Sequence, residues 1–506
     1  MEGSLFYSVS LSIIFLILAV KIFSATGSQR KNVPPSPPCL PILGHLHLLK
    51  QPVHRSLQRI SQKYGPVAFL RFGSRLVVLV SSSSAAEECF KTNDICLANR
   101  PRLLIGKYLG YEYSTLVGAQ YGDHWRNLRR ICTLDIFSQS RLSMFMSSRQ
   151  DEITILLNKL FRVSSSSHGF VKVELRPNFI ELTYNILLRM VAGKRYYGAD
   201  IEVAEEARNF RDIIEEILRH ASASNPVDFL PFLRWFDYKG YMKRLKRLSR
   251  DTDKLLQSLI DEQRSDGRDD LENRNSMINH LITLQASQPE YYTDEIIKGL
   301  ILVIATAGTD TTATTLEWAM SNLLNHPEVL KKAREEVDRE VGQHRLVNES
   351  DLPKLHYLQN IISETLRLYP PTPLLLPHMS SDKCTIGGYV VPPDTMVLVN
   401  AWAIHKDPEL WEDPTSFKPE RFESGENESY KLLPFGLGRR ACPGSGLANR
   451  VLGCVLGSLI QCFEWERVGE ELIDMTEGEG LTMPRAQPLV AQCKATELAT
   501  RVLTPS

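Results

Sequence analysis

The feature that most constrains this chain is a glycine-rich loop around one cysteine, PFGLGRRACPG, which runs from Pro434 to Gly444. Its glycines let the backbone turn and approach a neighbour closely, where a side chain would clash. The segment from Leu447 to Phe463 is apolar and rich in helix formers, so the sequence predicts that the loop leads directly into a buried helix. A cysteine just before a helix start is favoured as a thiolate. The loop is therefore suited to present Cys442 to a flat cofactor.

No second cysteine stands at C-x-x-C spacing from Cys442. One thiolate cannot build a zinc knuckle or a four-cysteine iron–sulfur site, so axial ligation of haem is the more specific metal hypothesis. The alternative, a buried structural cysteine, is the better explanation of Cys442 taken by itself. The residues around Cys442 favour the haem-ligand hypothesis instead. The loop resembles the haem-binding sequence F-x-x-G-x-R-x-C-x-G of the cytochrome P450 monooxygenases, at five positions of fixed spacing: Phe435, Gly438, Arg440, Cys442 and Gly444.

The resemblance implies one mainly α-helical domain with small β-sheets, the cytochrome P450 fold. It also implies haem b (iron protoporphyrin IX) held between a long helix that contains Asp310 and the Cys442 loop. Cys442 would be the axial thiolate ligand of the iron. Phe435, Arg440 and Gly444 would be cofactor-binding residues around it.

Composition agrees with a single large domain and excludes some partners. The 506 residues include 59 basic and 59 acidic ones, so no overall field attracts nucleic acid. The nine cysteines are odd in number and have no framework spacing, which fits a reducing compartment. Because no internal linker is visible, we interpret residues 45–506 as one monooxygenase domain.

The N-terminus carries the membrane-length signal. Leu5 to Val20 is uncharged and largely apolar, and residues 1–23 come close to the ~20 residues that cross a bilayer. The alternative is a cleaved signal peptide, but Glu2 stands where such a peptide has basic residues. We therefore expect an uncleaved transmembrane anchor helix. Three basic residues follow the apolar run: Lys21, Arg30 and Lys31. Positive charge is typical of the cytosolic side of a membrane span, so we expect the rest of the protein to lie in the cytosol.

A proline-rich stretch follows the anchor, with prolines at 34, 35, 37, 38 and 41. Prolines at this density favour a semi-rigid extended spacer. Residues 34–44 resemble the hinge P-P-x-P-x-x-x-P-x-x-G of microsomal cytochromes P450. The resemblance implies residues 24–44 as a hinge and a single-pass protein of the endoplasmic reticulum membrane, with its catalytic domain on the cytosolic face.

Trp125 and Arg129 lie one helical turn apart in WRNLRR. A solvated basic face is the alternative, and we accept it for Arg126 and Arg130. The pair itself resembles the family's W-x-x-x-R helix, which contacts a haem propionate. An arginine suits a planar carboxylate, and an indole N–H can donate to it.

A long apolar helical pattern, Glu295 to Met320, contains the polar run AGTDTT. Glycine, threonine and aspartate are poor helix formers, so we expect a local distortion there. Without further context, the run is best explained as a threonine-rich packing segment in which the carboxylate of Asp310 is hydrogen-bonded. It resembles the family motif [AG]-G-x-[DE]-T-[ST], whose acid and alcohol lie over the haem and relay protons. By that resemblance Asp310 and Thr311 are the catalytic pair.

Glu364 and Arg367 stand at i,i+3 spacing in SETLRLYP. Most such pairs lie on the protein surface and contribute little to stability. With the downstream PERF segment, the resemblance implies a buried structural triad of Glu364, Arg367 and Arg421. His378 resembles a position that contacts the second haem propionate, although a lone histidine is usually just packed.

Two further stretches predict local structure. Val67–Phe72 and Leu76–Val80 form a β-rich pair across Gly73-Ser74, and residues 384–400 contain a second such pair around Gly387-Gly388. Residues 225–236, aromatic and broken by proline, precede a basic stretch. They are either a core loop or a membrane-contact surface, and the resemblance favours the membrane.

The resemblance, which spans the chain from the anchor to the C-terminus, implies a monooxygenase that uses O2 and receives electrons from NADPH through NADPH-cytochrome P450 reductase. The alternative is a haem-thiolate isomerase or dehydratase that rearranges a peroxide, but such an enzyme has no use for Asp310 and Thr311 as a proton relay. A non-catalytic haem sensor would not need the pair either.

Three stretches resemble the sequences of plant microsomal enzymes that include isoflavone and flavone hydroxylases and lignan methylenedioxy-bridge enzymes. These stretches are PPSPPCLPILGHLHLL, YGDHWRNLRR and FGLGRRACPG. This implies a small hydrophobic, aromatic plant secondary metabolite as substrate. By position only, the candidate pocket residues are Leu103 to Tyr113, Ile301 to Ala307, Thr372 to Leu376 and Leu481 to Met483.

Overall fold

The computed structural model describes residues 32–165, 169–198, 205–222, 225–265, 275–424 and 430–504. The predicted anchor, residues 1–23, and the first part of the predicted hinge lie outside this described part. Within it, the chain is mainly helical with small sheets, so the predicted fold class is confirmed.

The α-helices follow one another in chain order: α1 Val53–Tyr64, α2 Ser83–Glu87, α3 Leu104–Tyr108, α4 Asp123–Arg130, α5 Gln139–Met144, α6 Met146–Ser165, α7 Leu175–Ala192, α8 Glu205–Ser222, α9 Tyr241–Ser265, α10 Met277–Ser287, α11 Asp294–Asn325, α12 Pro327–Glu340, α13 His356–Leu368, α14 Ala401–Ile404, α15 Ser445–Cys462 and α16 Glu497–Leu503. The strands are β1 Val67–Phe72, β2 Arg75–Val80, β3 Val171–Glu174, β4 His378–Met379, β5 Cys384–Ile386, β6 Tyr389–Val391, β7 Met396–Val399, β8 Phe463–Arg467 and β9 Val490–Ala495.

The largest described sheet has the strand order β1-β2-β7-β4. β1 and β2 pair antiparallel, with Val67 opposite Val80, and turn at Gly73 and Ser74 as predicted. β2 then pairs parallel to β7, which pairs antiparallel to β4. The second predicted hairpin is also present, as β5 and β6 around two glycines with positive φ. These turns use glycine because a side chain is strained in that backbone region.

Helix α11 is the central helix of the fold. Its N-cap is Thr293, whose side chain accepts a hydrogen bond from the N–H of Ile296. It packs closely along α7, because a Cβ on Gly308 would lie 2.7 Å from a methyl of Leu187. Within the described residues, α11 is the one helix long and apolar enough to cross a bilayer. However, 61% of its apolar 18-residue stretch is buried inside the protein. It is therefore a core helix.

The polar run in α11 does not interrupt the helix, which is continuous through residues 307–312. Its threonine hydroxyls donate to carbonyls four residues earlier, from Thr306 to Leu302, from Thr309 to Ala305 and from Thr311 to Ala307. These are the hydroxyl bonds to the preceding turn on which the predicted local distortion depends, and the distortion itself stays a prediction.

Candidate functional site

A cavity of about 330 Å³ lies between α11 and the loop that precedes α15. A single water needs only about 10–15 Å³ measured in the same way, so this space holds a sizeable ligand. One side of its wall is formed by the Cys442 loop, and the opposite side by α11. The lining from α11 includes Val303, Ile304, Thr306, Ala307, Thr311 and Thr312.

The backbone of the Cys442 loop is tightly held. The N–H of Cys442 donates to the carbonyl of Phe435 at 2.8 Å. Gly438 has a φ of +70°, and a Cβ there would lie 2.4 Å from a carboxylate oxygen of Asp94. No side chain fits in that space, so this glycine is required by close approach as well as by conformation.

Cys442 lies open to the cavity, just before the first turn of α15. Burial raises the pKa of its thiol, while backbone N–H groups of Gly444 and Ser445 and the charge of Arg129 oppose that rise. These opposing groups stabilise a thiolate, as expected at a helix N-terminus. No cluster of three or more His, Cys, Asp or Glu side chains that could hold a metal occurs in the described part of the chain. A metal at Cys442 would therefore need its remaining ligands from a cofactor.

Three arginines line the same cavity without a carboxylate partner among the described residues. Burial lowers the pKa of Arg100 to about 10. Burial and the charges of Arg100 and Arg129 lower the pKa of Arg440 to about 9. The Nε of Arg100 is buried and has no hydrogen-bond partner among the residues that the structure describes. Uncompensated buried cations require an anion, and the two carboxylates of haem b would supply it. The residues present therefore fit haem b.

Trp125 and His378 also line the cavity, but each already donates its N–H to a backbone carbonyl. The indole of Trp125 donates to Leu116 at 3.2 Å, and the guanidinium of Arg440 stacks over its ring at 4.3 Å. Nδ1 of His378 donates to Leu97 at 2.7 Å. Burial and the charges of Arg100 and Arg440 lower the pKa of His378 well below its ordinary value. The predicted contacts of these residues with haem propionates stay predictions.

The structure separates the two members of the predicted catalytic pair. Thr311 lines the cavity, and its hydroxyl donates to the carbonyl of Ala307 at 2.8 Å. Asp310 is not part of the lining. Its carboxylate accepts a hydrogen bond from the hydroxyl of Thr482 at 2.5 Å and lies 3.6 Å from Arg176. The catalytic role of the pair stays a prediction.

The structure brings Glu364, Arg367 and Arg421 together. Arg367 donates to both carboxylate oxygens of Glu364, at 2.7 and 2.8 Å, and Arg421 donates at 3.0 Å. Arg367 also donates to three backbone carbonyls, of His405, Pro414 and Ser416. The side chains of Glu364 and Arg367 are 0% exposed. This network ties α13 to the segment that leads towards the Cys442 loop.

One pocket prediction is wrong: none of residues 103–113 lines the cavity, where Leu116 and Val117 appear instead. The chain turns through three consecutive residues of positive φ, Tyr111, Glu112 and Tyr113. Tyr111 in this segment donates to Asp253 of α9 at 3.1 Å. Part of each of the other three predicted pocket segments does line it.

The sequence interpretation missed Arg100 altogether, and it included Thr482 only as part of the pocket segment Leu481 to Met483, without its contact with Asp310. Arg100 belongs to an ANRPR stretch, and Thr482 to a GLTMP stretch. Neither stretch has a helical or strand periodicity that points to a site. Their positions at the cavity depend on contacts with residues more than 150 positions away, such as Leu376 for Arg100 and Asp310 for Thr482.

Comparisons with known proteins agree with this geometry. The family model described as Cytochrome P450 matches residues 34–491. The chain is 55% identical to an isoflavone 3'-hydroxylase of Medicago truncatula, over 99% of this chain and 100% of that protein. It is 53% identical to a (+)-piperitol/(+)-sesamin synthase of Sesamum radiatum, over 99% of each. A zebrafish cytochrome P450 solved with abiraterone superposes with a TM-score of 0.73 at 26% identity, covering 88% of this chain and 100% of that one.

Proposed function

Because this chain belongs to the cytochrome P450 family, we propose that it oxidises a neutral, hydrophobic aromatic plant secondary metabolite of the isoflavonoid or lignan kind. The chain is a haem-thiolate monooxygenase, and its proposed reaction is hydroxylation or oxidative ring closure. The observation that carries the substrate class is the cavity wall opposite Cys442, which is apolar and interrupted by hydroxyls.

The hydroxyls on that wall select the polarity of the substrate. Thr306 and Thr311 donate their protons back into α11, to Leu302 and Ala307. Their oxygens keep lone pairs that can accept a hydrogen bond but have no second proton to donate. A ligand with a phenolic O–H is therefore better matched than an anion. Relatives named isoflavone hydroxylases and a sesamin synthase support this class.

Haem b, when bound, supplies the iron centre that activates dioxygen with two electrons. The protein's own groups hold and surround it. We propose that the Cys442 thiolate would bind the iron and that Arg100, Arg129 and Arg440 would neutralise the two carboxylates. Phe435 and Gly444 shape the loop around the sulfur. We propose that Thr311 holds the position of a proton at the cavity wall while the apolar side chains exclude bulk water.

We propose that the electrons come from NADPH through NADPH-cytochrome P450 reductase, which docks on the surface outside the Cys442 loop. Exposed arginines support this: the side chains of Arg126 and Arg439 are 53% and 45% exposed, and Arg130 is also exposed. An acidic partner surface would be attracted to them over about a Debye length of roughly 8 Å at physiological salt.

We further propose a single-pass protein of the endoplasmic reticulum membrane, with residues 1–23 as the anchor, 24–44 as the hinge and 45–506 on the cytosolic face. An exposed apolar surface supports this orientation. Trp235 and Phe236 are 84% and 78% exposed, and Ile42 is 57% exposed. The two segments meet at the β1–β2 turn, where Gly73 donates to Leu43 and Ser74 to Phe229. Such a surface is typical of contact with lipid.

The experiment for the function is turnover of a panel of isoflavones and lignans by the full chain in microsomes, with a plant reductase and NADPH. A product that gains one oxygen atom, or loses two hydrogen atoms in ring closure, supports the proposal. Product that forms from a peroxide without NADPH would instead support the isomerase alternative.

For the membrane proposal, deletion of residues 1–23 should move part of the protein to the soluble fraction while haem incorporation persists. Loss of haem binding would contradict the boundary.

A further inference from the structure

The acid of α11 reaches the cavity through a residue of the C-terminal loop. Thr482 lines the cavity, and its hydroxyl lies 2.5 Å from a carboxylate oxygen of Asp310, which does not line it. The hydroxyl of Thr311, next in sequence to Asp310, points to the carbonyl of Ala307 instead. Among the lining residues of the described chain, Thr482 is therefore the hydroxyl that contacts this acid.

Asp310 is partly exposed to solvent. Its side chain is 18% exposed although it lies outside the cavity lining, and Arg176 beside it is 24% exposed. Arg176 is itself held by Glu317 at 2.8 Å, whose side chain is 0% exposed. Water can thus reach Asp310 from outside, and the carboxylate connects that water with a hydroxyl inside.

The loop that carries Thr482 is fixed against α11. The N–H of Met483 donates to the carbonyl of Pro371 at 2.9 Å, and the indole of Trp318 donates to the carbonyl of Met483 at 2.8 Å. Trp318 follows Asp310 by eight residues on the same helix. The hydroxyl of Thr482 is therefore held at Asp310 by two backbone hydrogen bonds of the next residue, Met483, as well as by its own hydrogen bond.

We propose that Thr482 is the hydroxyl through which Asp310 delivers protons to the cavity. This rests on the proposed monooxygenase reaction, in which substrate, O2, two electrons and two protons give hydroxylated substrate and water. Asp310 takes a proton from solvent, and the hydroxyl of Thr482, which donates to this carboxylate, then turns its hydrogen towards the cavity by rotation about the Cβ–Oγ bond. The oxygen of Thr482 accepts the proton of Asp310 as Thr482 releases its own proton into the cavity, which restores the bond from Thr482 to the carboxylate. Electrons come from NADPH through the reductase, so charge balances.

The test is the rate of NADPH oxidation by the full-length holoenzyme with reductase, in H2O and in D2O. General acid assistance contributes about 10²- to 10⁴-fold to such steps, so Thr482→Val should slow oxidation about tenfold or more and raise the solvent isotope effect. Thr482→Ser, which keeps the hydroxyl, should retain the wild-type rate. The matched control is Thr476→Val, which removes another threonine–aspartate bond, to Asp474, away from the cavity.

A double variant separates a relay from a structural role. If Asp310 and Thr482 act in series, Asp310→Asn combined with Thr482→Val should be no slower than the slower single variant. Slowing by the product of the two single effects would overturn the proposal. A wild-type rate and unchanged isotope effect in Thr482→Val would overturn it as well.

Folding and substrate identity are checked separately. The ferrous carbonyl spectrum reports intact haem binding, and Thr482→Ala replaces the valine variant if the latter does not load haem. NADPH oxidation is measured independently of product. If the isoflavone and lignan panel gives no product while Thr482→Val still slows NADPH oxidation, the substrate proposal fails and the relay stands.

Discussion

Glu364 and Arg367 form a two-pronged ion pair, at 2.7 and 2.8 Å, from which solvent is wholly excluded. Each further bond of this pair goes to the segment between α14 and the Cys442 loop, including a hydrogen bond from the N–H of Lys418 to Glu364. The pair therefore joins the helical core to the side of the fold that carries the candidate ligand.

Replacing Glu364 by glutamine should strongly destabilise the protein. The change leaves the buried guanidinium of Arg367 without its counter-charge, which costs about 3–5 kcal/mol in such sites. We expect a lower yield of folded protein and a clear fall in the midpoint of thermal unfolding. The control is Lys159→Gln, which breaks a surface pair with Glu181 and should cost no more than about 1 kcal/mol. Equal effects of both changes would contradict the structural role.

Replacing Cys442 by serine should abolish the red-shifted Soret band of the ferrous carbonyl complex. A serine hydroxyl remains protonated at neutral pH and donates less electron density to iron than a thiolate. The exposed Cys39 gives the control, since Cys39→Ser should keep the band. Survival of the band in the Cys442 variant would exclude this cysteine as the ligand.

Arg100→Met should weaken haem retention, because the change removes a buried cation that has no carboxylate partner in the part of the chain that the structure describes. A hydrogen bond to a charged group contributes about 1.5–3 kcal/mol, so haem transfer to an excess of apomyoglobin should become roughly tenfold faster or more. Arg126→Met, at an exposed position of α4, should leave the transfer rate unchanged. If both variants lose haem as slowly as the wild type, Arg100 does not hold a carboxylate of the cofactor.

Thr311→Ala should uncouple electron use from product formation. Without the hydroxyl on the cavity wall, reduced oxygen is expected to leave as hydrogen peroxide, while haem content hardly changes. The measurement is peroxide released per NADPH oxidised, with a proven substrate and with Thr311→Ser as the variant that keeps the hydroxyl. Coupling as tight as in the wild type would mean that another hydroxyl, such as Thr312 or one on the substrate, serves instead.

Glu477 should make stability fall in acid. Burial alone would raise its pKa, but hydrogen bonds from His54 and Arg55 outweigh burial and lower the pKa from 4.5 to about 2. A depressed pKa stabilises the fold above pH 4.5, and this contribution, about 3 kcal/mol at ~1.4 kcal/mol per pKa unit, is lost as pH falls towards 2. Thermal unfolding from pH 6 to pH 3 should therefore depend less on pH in Glu477→Gln than in wild type.

The exposed Glu479 supplies the comparison for that series. Glu479→Gln should keep the wild-type pH dependence, because this side chain lies exposed at the surface near Glu477 and outside its hydrogen bonds with His54 and Arg55. A Glu477→Gln profile that parallels the wild-type profile at every pH would show that other carboxylates control acid unfolding.

The sequence by itself determined the class of fold, the loop that presents Cys442 and the composition of the helix that faces it. These follow from local rules: glycines that turn a loop, a helix start after a cysteine, and paired β-rich runs across glycines. The predicted helix after the loop, Leu447 to Phe463, differs from the observed α15 by two residues at its start and one at its end.

Only the tertiary structure decided which side chains share the cavity. Asp310 and Thr311 are neighbours in sequence, but successive residues of a helix point about 100° apart, so one faces the cavity and the other faces Arg176 and Thr482. Arg100 and Thr482 reach the site through contacts with distant segments. Such contacts leave no periodic signal in the sequence, because they are formed only when the core packs α11 against the C-terminal loop.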